Sequence, residues 1–365
     1  MWSMKKVLIV FNHPAPYKVR LFNELSKSFD LHVIFERDSA KDRDSKFYFE
    51  NEYNFTTFKI KGLKCGTENL ISSGIKKHLK RNRYDLVIMN GYSKFAEMTA
   101  ISYLKKKHIP YVLYINGGVI KKESSFKKKI KSHYIAGAYA YFSPDENSNN
   151  YLTHYGAEKT KIFNYPYSTI FEKEILNSKP NKQAIQNELD INYEKVFVSS
   201  GQLIDRKNYL SLVKEWEKFP ENYGLFLIGE GNQRKQIETI INAKNIKNVV
   251  LTGFLGRNEM FKYFQAADAF LFPSKEDIYG HVINESLSQG LPVISTNKVN
   301  SANRLIKDGI TGYVLDDLSG EKFNNAVKEI LGKDLFNNCI AVSKENTIEK
   351  MAECHVKMIN EVLSK

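Results

Sequence analysis

Short apolar runs of strand length alternate with longer helical segments along almost the whole chain. The runs with the length and composition of buried strands are residues 7–11, 31–35, 86–89, 111–115, 140–143, 161–165, 196–200, 225–228, 249–251, 269–272, 293–295 and 313–315. Between them, apolar residues recur at helical spacing, as Val19, Phe22 and Leu25 do in a helix predicted over 18–28. Strands that alternate with helices form parallel sheets. The chain is therefore predicted to be an α/β protein with two Rossmann-like, doubly wound domains that face each other across a cleft.

The 365 residues are about twice the length of a typical domain, which favours two domains over one. A polar segment that contains Pro180 separates the two sets of strands and has the composition of a linker. We therefore predict an N-terminal domain over 1–170, a linker over 171–189 and a C-terminal domain over 190–344. A helix at 345–365 is expected to pack back onto the first domain.

The number and spacing of the cysteines argue against a protein stabilised by disulfides and against one stabilised by a zinc site. Cys65, Cys339 and Cys354 form no CxxC pair, so the sequence encodes neither a disulfide framework nor a thiolate zinc site. This favours a reducing, cytosolic compartment. The N-terminal apolar run is five residues long, and no segment approaches the ~18 to 20 apolar residues that span a bilayer. We expect a soluble chain, or one that binds a membrane only peripherally.

The net charge of +13 is distributed unevenly. Residues 1–180 contain 31 Lys and Arg against 17 Asp and Glu, whereas residues 181–365 contain 23 against 24. The basic excess of the first half indicates an anionic partner, which could be nucleic acid, a membrane surface or a phosphorylated substrate. Lysines used only for solubility explain the charge equally well.

The stretch after the predicted strand 269–272 combines two acids with a glycine between them. Asp277 lies in a loop, Gly280 allows close approach of the backbone, and a helix is predicted to begin near His281. The first amides of such a helix have no internal partner and can hold a phosphate. Glu285 lies one turn further on, where its carboxylate can reach ribose or sugar hydroxyls. Alone, Glu285 has the pattern of a surface acid, but the combination favours a binding site.

A basic turn follows the predicted strand 196–200. It contains Gly201, Gln202, Arg206 and Lys207. Two adjacent cations at the carboxyl end of a strand can clamp a diphosphate, Lys as a mobile point charge and Arg as a fork. An isolated Arg-Lys pair more often lies in a solvated surface turn. This pair lies two strands before the acidic motif, and that position favours a functional role.

The acidic motif resembles that of family 4 of the retaining, nucleotide-sugar-dependent glycosyltransferases, which have the B-type fold of two facing Rossmann-like domains. The family pattern is an acid, seven residues and a Glu, with an aromatic-glycine pair inside and a Gly-x-Pro-Val-Ile strand after it. Asp277, Glu285, the pair Tyr279 and Gly280, and residues 290–294 match this pattern. The first acid of the family is usually Glu, so Asp277 is one methylene shorter.

The resemblance covers most of 196–315, with a weaker match at 7–25. It implies that Lys207 binds the donor diphosphate. Gln202 replaces the family's Arg, so Arg206 is expected to supply the second cation. The other residues expected at the donor or acceptor, with Tyr279, Gly280 and Gly201, are His13, Asn116, Gly117, Gly229, Gly231, Gly253, Phe254, His281 and Val282. Asn116 matches the position of a His that contacts the donor sugar in many members, and Gly229 and Gly231 also fit an ordinary tight turn.

The segment 121–134 is rich in lysine, and Phe126, Ile130 and Tyr134 recur in it at helical spacing. Such a helix can lie on anionic lipid, each Lys contributing about 1 kcal/mol near the surface. We expect its apolar stripe to pack on the sheet and its lysines to remain available to a lipid headgroup.

The resemblance implies a hexosyltransferase that moves a sugar, with retention, from a nucleotide diphosphate sugar to an acceptor hydroxyl. The basic first half favours a saccharide acceptor linked to a lipid phosphate. Surface-polysaccharide assembly at the inner face of the plasma membrane is the expected setting, with no metal, cofactor or nucleic acid. A nucleotide-sugar epimerase of the same fold remains an alternative. So does a degenerate, non-catalytic protein that binds a nucleotide or a membrane, because Asp277, Gln202 and Asn116 depart from the family pattern.

Overall fold

The computed structural model describes residues 4–39, 52–65 and 69–364. The chain divides into two compact units. The first unit comprises Met1–Tyr167 together with Ile348–Lys365, and the second unit comprises Ser168–Thr347. The chain therefore passes between the units twice, and each unit is built around a sheet of its own.

The main sheet of the first unit is parallel, with the strand order β3-β2-β1-β6-β7-β8-β9 among the residues described. Its strands are β1 (Lys6–Phe11), β2 (Asp30–Phe35), β3 (Thr56–Lys59), β6 (Leu86–Asn90), β7 (Tyr111–Tyr114), β8 (Ala140–Ser143) and β9 (Ile162–Asn164). A separate antiparallel hairpin is formed by β4 (Leu63–Cys65) and β5 (Asn69–Ile71).

Helices connect these strands. They are α1 (Pro16–Leu25), α2 (Gly74–Arg81), α3 (Phe95–Lys106), α4 (Ser125–Ile135) and α5 (Glu146–His154), with a 3-10 turn at Lys159–Lys161. The C-terminal helix of the described chain, α14 (Ile348–Ser364), packs against α1. Its buried His355 lies against the rings of Tyr114 and Tyr165, which attaches the returning chain to the core of the first unit.

The second unit has a parallel sheet of its own, with the order β12-β11-β10-β13-β14-β15 in the described residues. The strands are β10 (Lys195–Ser200), β11 (Tyr223–Ile228), β12 (Val249–Gly253), β13 (Ala269–Phe272), β14 (Val293–Thr296) and β15 (Gly312–Leu315). The helices are α6 (Lys182–Glu188), α7 (Tyr209–Trp216), α8 (Arg234–Ala243), α9 (Arg257–Ala266), α10 (Val282–Ser288), α11 (Asn300–Leu305), α12 (Gly320–Leu331) and α13 (Phe336–Lys344), and the 3-10 turns are Glu172–Glu174 and Asp205–Lys207.

The predicted α/β class with two doubly wound parallel sheets is confirmed. Each predicted strand is present, with ends that differ by at most two residues from those expected. The predicted helix at 18–28 begins earlier, at Pro16, because proline suits the first turn, where its missing N–H costs nothing. β3 was not predicted, because its residues are mostly exposed and form no apolar run.

The segment 171–189 differs from the linker predicted there. It contains the turn Glu172–Glu174 and α6, and it belongs to the second unit. Ile175 is buried in the core of that unit, and Gln186 donates through Nε2 to the carbonyl oxygen of Ala266 at 2.9 Å. A few buried contacts therefore hold a segment whose composition is otherwise that of a linker.

Candidate functional site

The carboxyl ends of β10 and β13 form the first part of the candidate site in the second unit. The two strands are direct neighbours in the sheet, so the loops that follow them are also neighbours. The loop after β10 supplies Arg206 and Lys207 from a 3-10 turn, and the loop after β13 supplies Asp277. Ligands of open α/β sheets bind at this edge.

Asp277 joins the two cations. Its Oδ2 accepts hydrogen bonds from Nζ of Lys207 and, at 3.3 Å, from Nη1 of Arg206, while its Oδ1 accepts from the amide of Tyr279 at 3.2 Å. The side chain of Lys207 is only 10% exposed, and its Nζ lies 4.3 Å from the centre of the Phe272 ring. Burial alone would raise the pKa of Asp277, but Lys207 and Arg206 outweigh burial and lower it.

This arrangement, called the Asp277 cluster below, brings together the predicted pair Arg206 and Lys207 and the acid Asp277, which belong to two separate motifs in the sequence. One carboxylate and two cations leave a net charge of +1 on the cluster. Because two of the three groups are largely buried, water screens their charges weakly. An anion placed beside Lys207 and Arg206 would be attracted, as a departing diphosphate requires.

The turn before α10 contains the predicted residues Tyr279, Gly280 and His281, and α10 begins at Val282. Gly280 has a φ of +87°, and a Cβ there would lie 2.7 Å from Cγ1 of Val299. The absence of a side chain is thus required by packing inside the protein. Tyr279 is buried and lies 4.9 Å from His281, ring centre to ring centre.

Glu285 lies in a second group of polar residues, called the Arg257 network. Its Oε1 accepts from Nη1 of Arg257 at 2.7 Å and from Oγ1 of Thr169 at 3.2 Å. Arg257 also donates to Oε1 of Glu174 and to the carbonyl oxygen of Thr169, both at 3.1 Å. One oxygen of Glu285 is therefore held in place by a guanidinium with three acceptors.

Arg257, Thr169 and Glu174 were not among the residues predicted from the sequence. Arg257 opens α9 and lies 28 positions before Glu285, so no short spacing connects them. A half-buried guanidinium needs nearby acceptors, but the sequence of α9 does not show that Arg257 is half-buried. The one available signal is the pair of acids in the predicted linker, Glu172 and Glu174, next to apolar residues.

The predicted glycines of the turns after β10 and β11 have a packing role. A Cβ on Gly229 would lie 2.0 Å from the carbonyl oxygen of Gly201, and a Cβ on Gly231 would lie 2.3 Å from that of Leu203. The amide of Gly201 also donates to the carbonyl oxygen of Ile228 at 2.9 Å. The two turns therefore approach too closely for side chains, and their contact with a ligand remains a prediction.

Three other predicted residues lie on neighbouring turns of the same unit. Gln202 is half-buried next to the buried Leu203 in the turn after β10. Gly253 ends β12 with a φ of +78°, and its carbonyl oxygen accepts from the amide of Gly229 at 2.8 Å. Phe254 follows it with an exposed ring, which leaves an aromatic surface available for a flat ligand.

Comparison with known proteins identifies the region that contains the Asp277 cluster. A sequence model described as "Glycosyl transferases group 1" matches residues 181–346. Residues 181–346 therefore resemble the group 1 glycosyl transferases and are called the group 1 domain below. The resemblance inferred from the Asp277 and Glu285 motif is confirmed.

Two curated relatives match parts of the chain. Lipopolysaccharide core biosynthesis glycosyltransferase LpsE of Rhizobium meliloti is 28% identical over 154 residues, covering 42% of this chain and 44% of LpsE. N-acetylgalactosamine-N,N'-diacetylbacillosaminyl-diphospho-undecaprenol 4-alpha-N-acetylgalactosaminyltransferase of Campylobacter jejuni is 25% identical over 142 residues, covering 39% of this chain and 38% of that enzyme. The matches thus span less than half of either relative.

The fold of the group 1 domain and of the first unit also occurs in solved structures. The structure of HepE from Anabaena in complex with UDP superposes with a TM-score of 0.78, covering 98% of this chain and 100% of that one at 14% identity. At this identity the similarity concerns the fold, and it agrees with the B-type fold expected from the sequence.

The predicted residues of the first unit lie outside the group 1 domain, at the ends of β1 and β7. His13 is half-buried, and its amide donates to Oδ1 of Asn12 at 2.8 Å. Asn116 and Gly117 follow β7, and Oδ1 of Asn116 is buried without a hydrogen-bond partner in the described part of the chain. β6 lies between β1 and β7 in the sheet, so the two turns are not adjacent.

Lys18, counted in the sequence analysis only as part of the basic excess, is fully buried. Its Nζ donates to the hydroxyl of Tyr114 at 2.5 Å and lies 4.3 Å from the centre of the Tyr167 ring. Burial lowers the pKa of Lys18 well below its usual value. This lysine belongs to the core of the first unit and adds nothing to its basic surface.

The lysine-rich helix α4 is more exposed than expected. Phe126 is 73% exposed and Ile130 is 37% exposed, and Ile135 is the buried residue of the helix. The expectation that the apolar stripe packs on the sheet is therefore wrong for these two residues. They are exposed beside Lys127, Lys128 and Lys129, and the structure leaves an amphipathic surface uncovered.

Proposed function

We propose that this protein is a retaining hexosyltransferase that moves a sugar from a nucleotide diphosphate sugar to a hydroxyl of a lipid-linked saccharide. The observation that carries the proposal is the Asp277 cluster, which places two cations at the carboxyl edge of a group 1 domain. The names of LpsE and the Campylobacter relative support a saccharide acceptor in lipopolysaccharide or other surface-polysaccharide assembly. The UDP in HepE supports a nucleotide donor.

The donor would bind to the second unit. Lys207 and Arg206 would take up the charge of the departing diphosphate, together with the amides of Gly280, His281 and Val282. The Oδ1 atom of Asp277, which accepts one hydrogen bond from the amide of Tyr279, would accept a second from a sugar hydroxyl, because Oδ2 already binds both cations. Likewise, Oε2 of Glu285 would accept from the ribose, because Oε1 is held by Arg257 and Thr169.

The resemblance to retaining enzymes supports attack on the face from which the diphosphate leaves. The acceptor oxygen would bond to the anomeric carbon as the bond from that carbon to the diphosphate oxygen breaks. The proton of the acceptor hydroxyl would pass to the departing diphosphate. In this scheme the residues of the chain stabilise charge and orient both substrates, and none of them forms a bond to the sugar.

Thermal unfolding in the presence of UDP-, GDP- and ADP-sugars tests the donor site. We expect one class of donor to raise the melting temperature of the wild type by several degrees, and Glu285→Ala to remove that protection. If no nucleotide sugar protects the wild type at millimolar concentration, the donor site is wrongly assigned. Acceptor-dependent transfer with the protective donor then distinguishes transfer from epimerisation and from mere binding.

We further propose that α4 holds the protein on the inner face of the plasma membrane. No helix in the described ranges is long and apolar enough to cross a bilayer. Phe126 and Ile130 would enter the interface while the lysines around them contact anionic headgroups.

Binding to vesicles with and without anionic lipid tests this contact. Neutralising Lys127, Lys128 and Lys129 to Gln is expected to weaken binding to anionic vesicles about 100-fold, at about 1 kcal/mol per lysine. The same change at Lys214, Lys235 and Lys247, which are exposed on the second unit, provides the control. Equal weakening in both triple variants would show that only net charge matters.

A further inference from the structure

A groove that the donor site does not use lies in the first unit between β3 and α2. β3 is at the end of the strand order, so it forms the edge of the sheet in the described residues. β3 and the residues after it form one wall, and α2 with the residues before it forms the other. All the lining residues belong to the first unit.

Cations line this groove without acids. Lys59, Lys61, Lys77 and Arg81 contribute to its walls, and no Asp or Glu is among the described residues that line it. Lys59 pairs with Asp38 at 2.7 Å, but both side chains are largely exposed. Lys61, Lys77 and Arg81 form no ion pair within the described ranges of the chain. The groove therefore carries positive charge that the described residues do not neutralise.

Apolar side chains lie at the same groove. Leu63 is 75% exposed and Ile71 is 44% exposed, although both are large and hydrophobic. They are paired directly across the β4-β5 hairpin, which places them on one face of it. Exposed apolar residues beside unpaired cations match a ligand that has an anionic head and an apolar chain.

Internal contacts fix the walls of the groove. The hydroxyl of Ser72 donates to the carbonyl oxygen of Lys61 at 2.6 Å and accepts from the amide of Gly74 at 3.0 Å. A Cβ on Gly74 would lie 2.8 Å from that of Ile60, so the two walls approach closely at this point. The cations are thus presented by a framework whose backbone is held in place before a ligand binds.

We propose that this groove binds the phosphate or diphosphate group of an amphiphile, whose hydrocarbon chain contacts Leu63 and Ile71. Lys61, Lys77 and Arg81 surround the anionic group, and the guanidinium offers paired donors that match phosphate oxygens. The binding itself is independent of sugar transfer. Identifying the ligand with the lipid phosphate of the acceptor rests on the proposed function.

Two soluble probes and two matched pairs of variants test this site in the full chain. The probes are farnesyl diphosphate, below its micelle concentration, and inorganic pyrophosphate, with binding measured by calorimetry. Lys77→Glu and Arg81→Glu alter the groove, whereas Lys76→Glu and Lys80→Glu make the same charge change on α2 outside the lining. We expect each groove variant to weaken farnesyl diphosphate binding at least about 10-fold and each control to change it less than about twofold.

Further variants separate this site from the donor site. Arg206→Ala is expected to leave farnesyl diphosphate binding unchanged, and Lys77→Glu is expected to leave nucleotide-sugar protection intact. Leu63→Ser is expected to weaken farnesyl diphosphate but not pyrophosphate. Equal weakening by all four α2 variants, loss of binding in Arg206→Ala, equal affinity for the two probes, or no binding of farnesyl diphosphate at millimolar concentration would overturn the proposal. None of these results depends on whether sugar transfer occurs.

Discussion

Lys207→Met is expected to lower the rate of sugar transfer by at least about 100-fold and to destabilise the protein by about 3 kcal/mol. The substitution removes the cation proposed to stabilise the departing diphosphate. It also leaves the largely buried carboxylate of Asp277 with Arg206, whose side chain is 45% exposed and 3.3 Å away, as its remaining cation. Initial rates of acceptor-dependent transfer and urea unfolding measure the two effects.

The double variant Lys207→Met/Asp277→Asn separates the effect on the rate of transfer from the effect on stability. A neutral amide needs no cation, so we expect this variant to recover most of the lost stability while transfer stays low. If the double variant recovers both stability and transfer, Lys207 serves only to neutralise Asp277, and its proposed role at the diphosphate is wrong.

The loss of stability at acid pH tests the contact between Lys207 and Asp277 independently. In the wild type the pKa of Asp277 is lowered by Lys207 and Arg206 against the effect of burial, so its contribution is present at neutral pH and is lost as pH falls below about 4. In Lys207→Met, burial is opposed mainly by Arg206, and we expect the pKa of Asp277 to rise. The single variant should then lose less stability than the wild type over the same acid range.

Arg257→Lys is expected to raise the KM for the nucleotide-sugar donor at least about 10-fold. Arg257 spreads one charge over contacts to Glu285, Glu174 and the carbonyl oxygen of Thr169, and a lysine cannot reproduce that planar fork. Glu285 would then lose the orientation that presents Oε2 to the ribose. Steady-state kinetics with the donor varied should show a larger change in KM than in kcat, because ribose contacts are made before and during transfer.

Glu174→Gln provides the matched control. It alters the Arg257 contact that lies away from Glu285 and keeps an oxygen acceptor at that position. We expect less than about a threefold change in the donor KM, together with a small loss of stability. If Arg257→Lys lowers the melting temperature but leaves the donor KM unchanged, Arg257 supports the fold and does not position Glu285.

Most of the fold could be predicted because its strands are buried on both faces. A strand in such a sheet must be apolar along its whole length, as 269–272 and 293–295 are, and this pattern is visible without any tertiary information. β3 escaped prediction because it lies at the edge of the sheet and is mostly exposed. The exposure of the apolar residues of α4 was also not predictable from the sequence. The spacing of residues shows which of them share a face of the helix, but it does not show whether another element covers that face.

The sequence by itself determined the fold class, the two sets of strands and the motif that contains Asp277 and Glu285, because these depend on local apolar runs and short spacings. Only the tertiary structure decided which charges meet. Lys207 contacts Asp277, which lies 70 positions later in the sequence, and Arg257 contacts Glu285, which lies 28 positions later. Lys18 is buried, although the basic composition of the first half of the chain suggested that it is a surface cation. Contacts of this kind depend on which strands are neighbours in the sheet, and burial depends on what packs above them. Neither the order of the strands in the sheet nor the packing above them can be read from the spacing of residues along the chain.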